Sequence, residues 1–142
     1  MQFGFSTNAF REYRLEDAIE VLADAGYDGV EILFDEPHLY PPAAGEREVK
    51  RVRELLDDSG VAISNCNAFM LSAEERSEES AAAEYDRETE PFHHPSFVEP
   101  DADDRRTRVA YTEAALETAA ALDAPHISVQ PGGPVPEGTS RE

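Results

Sequence analysis

The chain has 142 residues, 40% of them hydrophobic and 8% aromatic, enough for a core in one domain and too apolar for a disordered protein. Its 31 acidic against 12 basic residues give a formal charge of -19, which repels nucleic acid and anionic membranes and excludes both as partners. Lys50 is the one lysine, and an acidic, lysine-poor surface over an ordinary core is the composition expected of a halophilic protein.

The chain opens on a strand-like run, Phe3 to Asn8, without a basic or apolar leader, and it holds no long apolar span, so a cytoplasmic protein is expected. Arg14 to Ala25 follows as a helix whose Leu15, Ala18, Ile19, Leu22 and Ala23 form one stripe, stopped by Gly26 as a left-handed residue after the last turn. Val30, Ile32 and Leu33 read as a buried second strand. After Pro41 and Pro42 the pattern repeats: a helix from Glu46 to Ser59 with Val49, Val52, Leu55 and Leu56 on one face, Gly60 as its stop, and a third strand from Val61 to Phe69. Two such units in succession imply a parallel sheet. Cys66 has no partner for an internal disulfide and reads as a small buried thiol.

Residues 71-92 lose the pattern and read as an acidic insertion or mobile loop, in which Ser72 and Glu75 are placed as a capping box would be. A compact aromatic loop, Phe92 to Phe97, leads to the longest helix, Asp101 to Leu122. Asp101, Asp103 and Asp104 stand at the positive end of its dipole, and Val109, Thr112, Leu116, Ala119 and Ala120 are expected to face inward. Pro125 to Gln130 is the fourth strand, Pro131 to Pro134 the turn that leaves it, and Thr139 to Glu142 resembles the start of another helix. Residues 1-142 therefore read as the N-terminal half of a longer protein.

Glu31 is the residue that asks for a reason. A carboxylate inside an apolar strand costs several kcal/mol unless it is paired, hydrogen-bonded, or set on a metal or substrate. The strands also carry Ser6, Ser64, Asn65, Asn67, Ser128 and Gln130, and a barrel with a solvated mouth accommodates such residues. No glycine-rich phosphate turn follows the first strand, where Ser6 to Phe10 stands instead, so an open nucleotide-binding sheet lacks its mark. The fold expected is α/β, a (β/α)8 barrel with about four βα units present.

The phrases Phe3-Gly-Phe-Ser-Thr-Asn-Ala-Phe10, Ala25-Gly-Tyr-Asp-Gly-Val-Glu-Ile32, Pro37-His-Leu-Tyr-Pro-Pro42, Ile63-Ser-Asn-Cys-Asn-Ala68, His94-Pro-Ser-Phe-Val-Glu-Pro100 and Ile127-Ser-Val-Gln-Pro-Gly-Gly-Pro134 resemble the xylose isomerase-like TIM barrels, and within them the sugar phosphate isomerase/epimerase proteins. The second phrase is shared with the wider superfamily, which includes endonuclease IV. The resemblance implies a divalent metal (Mn, Mg, Co or Zn) at the barrel mouth and proton transfer beside the carbonyl of a sugar or polyol. In the family the metal ligands lie mostly on later strands, the first being a Glu on the strand after the helix that begins at Ser140. This chain is therefore expected to bind substrate and to lack the main metal site.

The residues expected to line a substrate pocket are Glu31, His38, His94, Asn8, Asn67 and Gln130. The alternatives are an internal salt bridge for Glu31, a solvated loop for His94, and turn-ordering roles for Asn8, Asn67 and Gln130. His38 is stiffened by Pro37, Pro41 and Pro42, and His126, at the bottom of its strand, is expected to be packed or exposed. No spacing of His with Asp or Glu marks a complete metal site. The partners expected are a small sugar or polyol and, because half a barrel leaves two strand edges open, a second copy or a complementary half barrel.

Overall fold

A computed structural model describes residues 1-70, 95-99 and 101-131. The acidic segment 71-92, His94, most of the turn after Gln130 and the helix start at Thr139 lie outside the described residues. The described elements run β1 (Gly4–Ser6), α1 (Leu15–Asp24), β2 (Gly29–Leu33), α2 (Glu46–Ser59), β3 (Ala62–Asn67), α3 (Ala102–Ala121) and β4 (Ile127–Ser128). Short 3-10 turns at Thr7–Phe10 and Pro41–Ala43 follow β1 and precede α2. No helix among the described residues is long and apolar enough to cross a membrane.

All neighbouring strands are parallel, in the order β1-β2-β3-β4. Crossovers between parallel strands are right-handed in about 98% of cases, so a consecutive order without reversal puts every helix on one face of the sheet. The packing agrees: Val30, Ile32 and Cys66 form one cluster with Leu15, Ile19 and Leu22 of α1, Val52 and Leu56 of α2, and Tyr111, Ala115 and Ala119 of α3. The opposite face is left free of helices, as in the wall of a (β/α) barrel seen from its lumen. This is the barrel-type α/β architecture expected from the sequence.

Helix ends follow local chemistry. Gly26 (φ 84°) and Gly60 (φ 69°) take the left-handed conformation that ends α1 and α2. The Asp101 carboxylate accepts from the amides of Asp103 and Asp104, capping α3. An Arg51–Glu16 ion pair links α2 to α1, and its exposed setting makes it worth little.

The buried face of α3 differs from the expected one. Arg108, Tyr111, Ala115, Thr118 and Ala119 face the sheet, whereas Val109 and Leu116 are 44% and 50% exposed. The helix is turned by about one residue, roughly 100°, from the face that apolar counting selects. Polar anchoring explains the difference. Tyr111 donates its hydroxyl to the Phe34 carbonyl, and Arg108 donates from Nη1 to the Phe69 carbonyl (2.8 Å) and from Nη2 to the Gln130 carbonyl (2.9 Å). The Arg108 guanidinium also lies 5.1 Å from the Phe97 ring centroid and 5.7 Å from that of Tyr111.

Ala115→Leu is accordingly expected to destabilise the chain by about 1–3 kcal/mol through overpacking, and Leu116→Gln to change stability by no more than about 0.5 kcal/mol. Urea unfolding of the two variants at low protein concentration reads the difference, and the reverse order would return the buried face to Val109 and Leu116.

Candidate functional site

Side chains alternate across a strand, so with Val30 and Ile32 in the helix-covered core, Glu31 points to the opposite face. In register with it stand Ser6 of β1 and Asn65 of β3. The pairing with Asn65 depends on an irregularity. Ile63 pairs with Val30, yet the next partner of β2 is Asn65, which leaves Ser64 as an extra residue in β3. Without this bulge Ser64 would oppose Glu31, and Asn65 would turn toward the helices. Bulges re-aim side chains in this way, and they are frequent beside active sites.

The result is a polar cluster on the free face. Asn65 Nδ2 donates to Glu31 Oε2 (2.5 Å) and to Ser128 Oγ (2.8 Å), and Asn67 Nδ2 makes a longer, weaker contact with Glu31 Oε1 (3.4 Å). An ionised carboxylate only accepts, so it fixes which way both amides turn. Their carbonyl oxygens consequently point away from Glu31. Asn65 Oδ1 and Asn67 Oδ1 are buried and have no partner among the described residues, a condition that costs about 1–3 kcal/mol each unless a donor arrives. Glu31 forms no ion pair among the described residues, so amides take the place of the salt bridge that was its alternative reading.

Below this cluster the wall is made of small residues. A Cβ on Gly4 would stand 3.2 Å from the Gly29 carbonyl oxygen and 3.3 Å from Ser64 Oγ, and one on Gly29 would stand 3.2 Å from the Ala62 carbonyl oxygen. Above it, the strand ends are tied together. Thr7 Oγ1 accepts from the Leu33 amide (2.9 Å), the Phe34 amide donates to the Asn67 carbonyl (2.9 Å), and Arg108 bridges the ends of β3 and β4.

The remaining expected residues lie apart from this cluster or are placed differently. His38, 5% exposed, turns its Nε2 to the carbonyls of Phe10 and Tyr13 (both 3.2 Å), and so pins the loop after β2 to the loop after β1. Two carbonyl neighbours make Nε2 the protonated nitrogen, and Nδ1 is buried without a partner among the described residues. Asn8 donates its backbone amide to Ser6 Oγ, and its buried Oδ1 has no partner among the described residues. Gln130 is exposed, and its described contact is the backbone carbonyl bound by Arg108. His94 lies outside the described residues. His126 is exposed, and Cys66 is fully buried, its thiol pushed up to about 12 by burial and by the charge of Glu31.

The cluster thus joins Glu31 to Asn67 and adds Asn65 and Ser128, which sequence reasoning had noted only as polar strand residues. Among the described residues no three His, Cys, Asp or Glu side chains lie close enough to hold a metal ion. Glu31 is the one carboxylate on the four strands, and alone it does not make a metal site. A separate groove of about 580 Å³ between α2 and α3, lined by Val49, Lys50, Arg53 and Thr118 among others, lies on the outer helical surface and shares no residue with the cluster.

Residues 19–142 match the family model described as xylose isomerase-like TIM barrel. No curated protein sequence matches the chain. Among solved structures it resembles a D-psicose 3-epimerase crystallised in the presence of D-fructose (16% identity, TM-score 0.60, covering 100% of this chain and 42% of the other). It also resembles an AP endonuclease of family 2 from Brucella melitensis (18% identity, TM-score 0.56, covering 99% and 43%). A third is a xylose isomerase-like TIM barrel/4-hydroxyphenylpyruvate dioxygenase fusion protein (22% identity, TM-score 0.56, covering 91% and 16%). The chain spans less than half the length of each of these proteins, and at such identities the likeness is one of fold.

The His38 geometry predicts a pH dependence. Its pKa is lowered from 6.5, first by burial and secondarily by Arg11, against the opposing pull of the two carbonyls. Above 6.5 both folded and unfolded states are neutral at this group and its stabilising contribution is complete. As pH falls below 6.5 the unfolded chain takes the proton first, so stability is lost until the folded pKa is reached. Urea midpoints at about pH 7.5 and 5.5 are expected to fall further for the wild type than for His38→Gln, and equal losses would contradict this.

Proposed function

This chain belongs to the xylose isomerase-like TIM barrel family, and on that footing we propose that its helix-free wall holds hydroxyl groups of a sugar or polyol in an isomerase- or epimerase-type barrel. The observation that carries the reading is the Glu31 cluster, a carboxylate and two amides that leave buried acceptor oxygens on the face where a barrel binds its ligand. Sugar hydroxyls both donate and accept, so they satisfy the Asn65 and Asn67 oxygens while the remaining lone pairs of Glu31 take a further donor. The likeness to a D-psicose 3-epimerase agrees with this choice of ligand class.

The reaction proposed is proton transfer beside a carbonyl. A divalent metal of the kind family members commonly use would supply Lewis-acid polarisation of that carbonyl. The described residues form no group that fits the metal, and the part left to them is to bind and orient the substrate. Cleavage of abasic DNA, suggested by the likeness to an AP endonuclease, is opposed by the net charge of -19. For partners we propose closure of the barrel by a second copy or a complementary half, supported by the open edges β1 and β4 of the described sheet and by exposed Phe3 and Phe5 beside β1.

The test is binding of D-fructose, followed by calorimetry or ligand-detected NMR. Glu31→Ala is expected to weaken it about tenfold or more, the loss of one charge-assisted hydrogen bond, and an unchanged affinity would remove Glu31 from the site. Solvent deuterium entering a ketose when Mn²⁺, Mg²⁺ or Co²⁺ is supplied would distinguish this chemistry from cutting of abasic-site DNA.

A further inference from the structure

The orientation of the two asparagine amides decides more than the presence of a polar pocket. Each Nδ2 is committed to Glu31, and that of Asn65 also to Ser128, so what the wall offers a ligand is acceptor oxygen: Asn65 Oδ1, Asn67 Oδ1 and the carboxylate itself. Asn67 is only 3% exposed, so its unpartnered oxygen is a requirement built into the wall rather than a solvated side chain. The strands β1 to β4 contain no lysine, arginine or histidine. Arg108, a cation that reaches the strand ends, is fully buried, with two guanidinium nitrogens bound to the Phe69 and Gln130 carbonyls, its Nε without a partner among the described residues, and its guanidinium carbon close to the Phe97 and Tyr111 rings. Among the described residues the donors left on these strands are neutral hydroxyls, such as those of Ser6 and Ser128, and none is a cation.

Resting on the reading of this face as a sugar or polyol site, we propose that it takes the neutral, hydroxyl-bearing part of an unphosphorylated sugar and rejects a phosphate ester. A hydroxyl brings the proton that the asparagine and glutamate oxygens lack. A phosphate group brings acceptor oxygens and a charge of about -1.5 to -2 at neutral pH, next to a carboxylate and with no cation on the described strands to balance it. The two contributions to this rejection separate by salt. The repulsion from the overall charge of -19 acts through solvent and is screened beyond about 3 Å in 1 M salt. The mismatch at Glu31 is a contact effect and persists.

The experiment compares D-fructose, D-fructose 1-phosphate, D-fructose 6-phosphate and inorganic phosphate on the wild-type chain, at low salt and in molar KCl, with and without Mn²⁺. Binding of D-fructose is expected, with both phosphate esters weaker by about tenfold or more even in molar salt, and with no competition by inorganic phosphate. In Glu31→Gln the gap between sugar and ester is expected to shrink to within about threefold. Equal or tighter binding of an ester, competition by inorganic phosphate, or a gap that disappears in molar salt would each overturn the selection rule while leaving the polyol site standing. Failure of every sugar and ester to bind would overturn both.

Discussion

A carboxylate on the pleat of β2 cannot be left dry, and much of the polar side of this molecule is an answer to that constraint. Glu31 sits between two fully buried residues, Val30 and Ile32, that belong to the helix-covered core. Moving the acid would mean moving the strand. The answer is carried by β3, where one extra residue shifts the register so that Asn65 and Asn67 both present amide N–H groups to it. Satisfying the carboxylate transfers the need for partners to the asparagine oxygens. A structural salt bridge would have ended the matter, whereas amides hand the unmet requirement on to whatever enters the lumen.

The arrangement holds because the strand ends are fixed from the outside. Arg108 and Tyr111, one helical turn apart on α3, reach the carbonyls that follow β2, β3 and β4. Tyr111 also stacks on Tyr40 of the loop after β2, with ring centroids 6.0 Å apart. On the β1 side Thr7 binds the Leu33 amide, and His38 binds the Phe10 and Tyr13 carbonyls. A buried arginine is costly unless its donors are met, and here two of its nitrogens are met by backbone oxygens. Its third nitrogen, Nε, is buried without a partner among the described residues.

The repeating strand and helix pattern was legible in the sequence because two signals agreed at each boundary: a 3.6-residue apolar stripe and a glycine that takes positive φ, as Gly26 and Gly60 do. Glu31 was legible as an anomaly, an acid inside an apolar run. Asn65 was not, because strict alternation assigns it to the helix side, and only the bulge at Ser64 reverses that. The face of α3 was misread for a related reason. Apolar counting favours Val109 and Leu116, while the observed orientation is set by an arginine and a tyrosine whose partners are backbone carbonyls far away in sequence. His38, expected as a pocket imidazole, does lie in the loop after β2, but its ring direction depends on carbonyls of Phe10 and Tyr13, which no local pattern encodes.

The central claim is that the oxygens of Asn65 and Asn67 are ligand-facing rather than idle. The side-chain amide resonances of these two residues, followed by ¹⁵N NMR while D-fructose is added, test it most directly. The account predicts that they shift together and saturably, with smaller changes at Ser128 and Leu33. Shifts confined to the groove between α2 and α3, or no change at the two asparagines while the sugar binds, would contradict it.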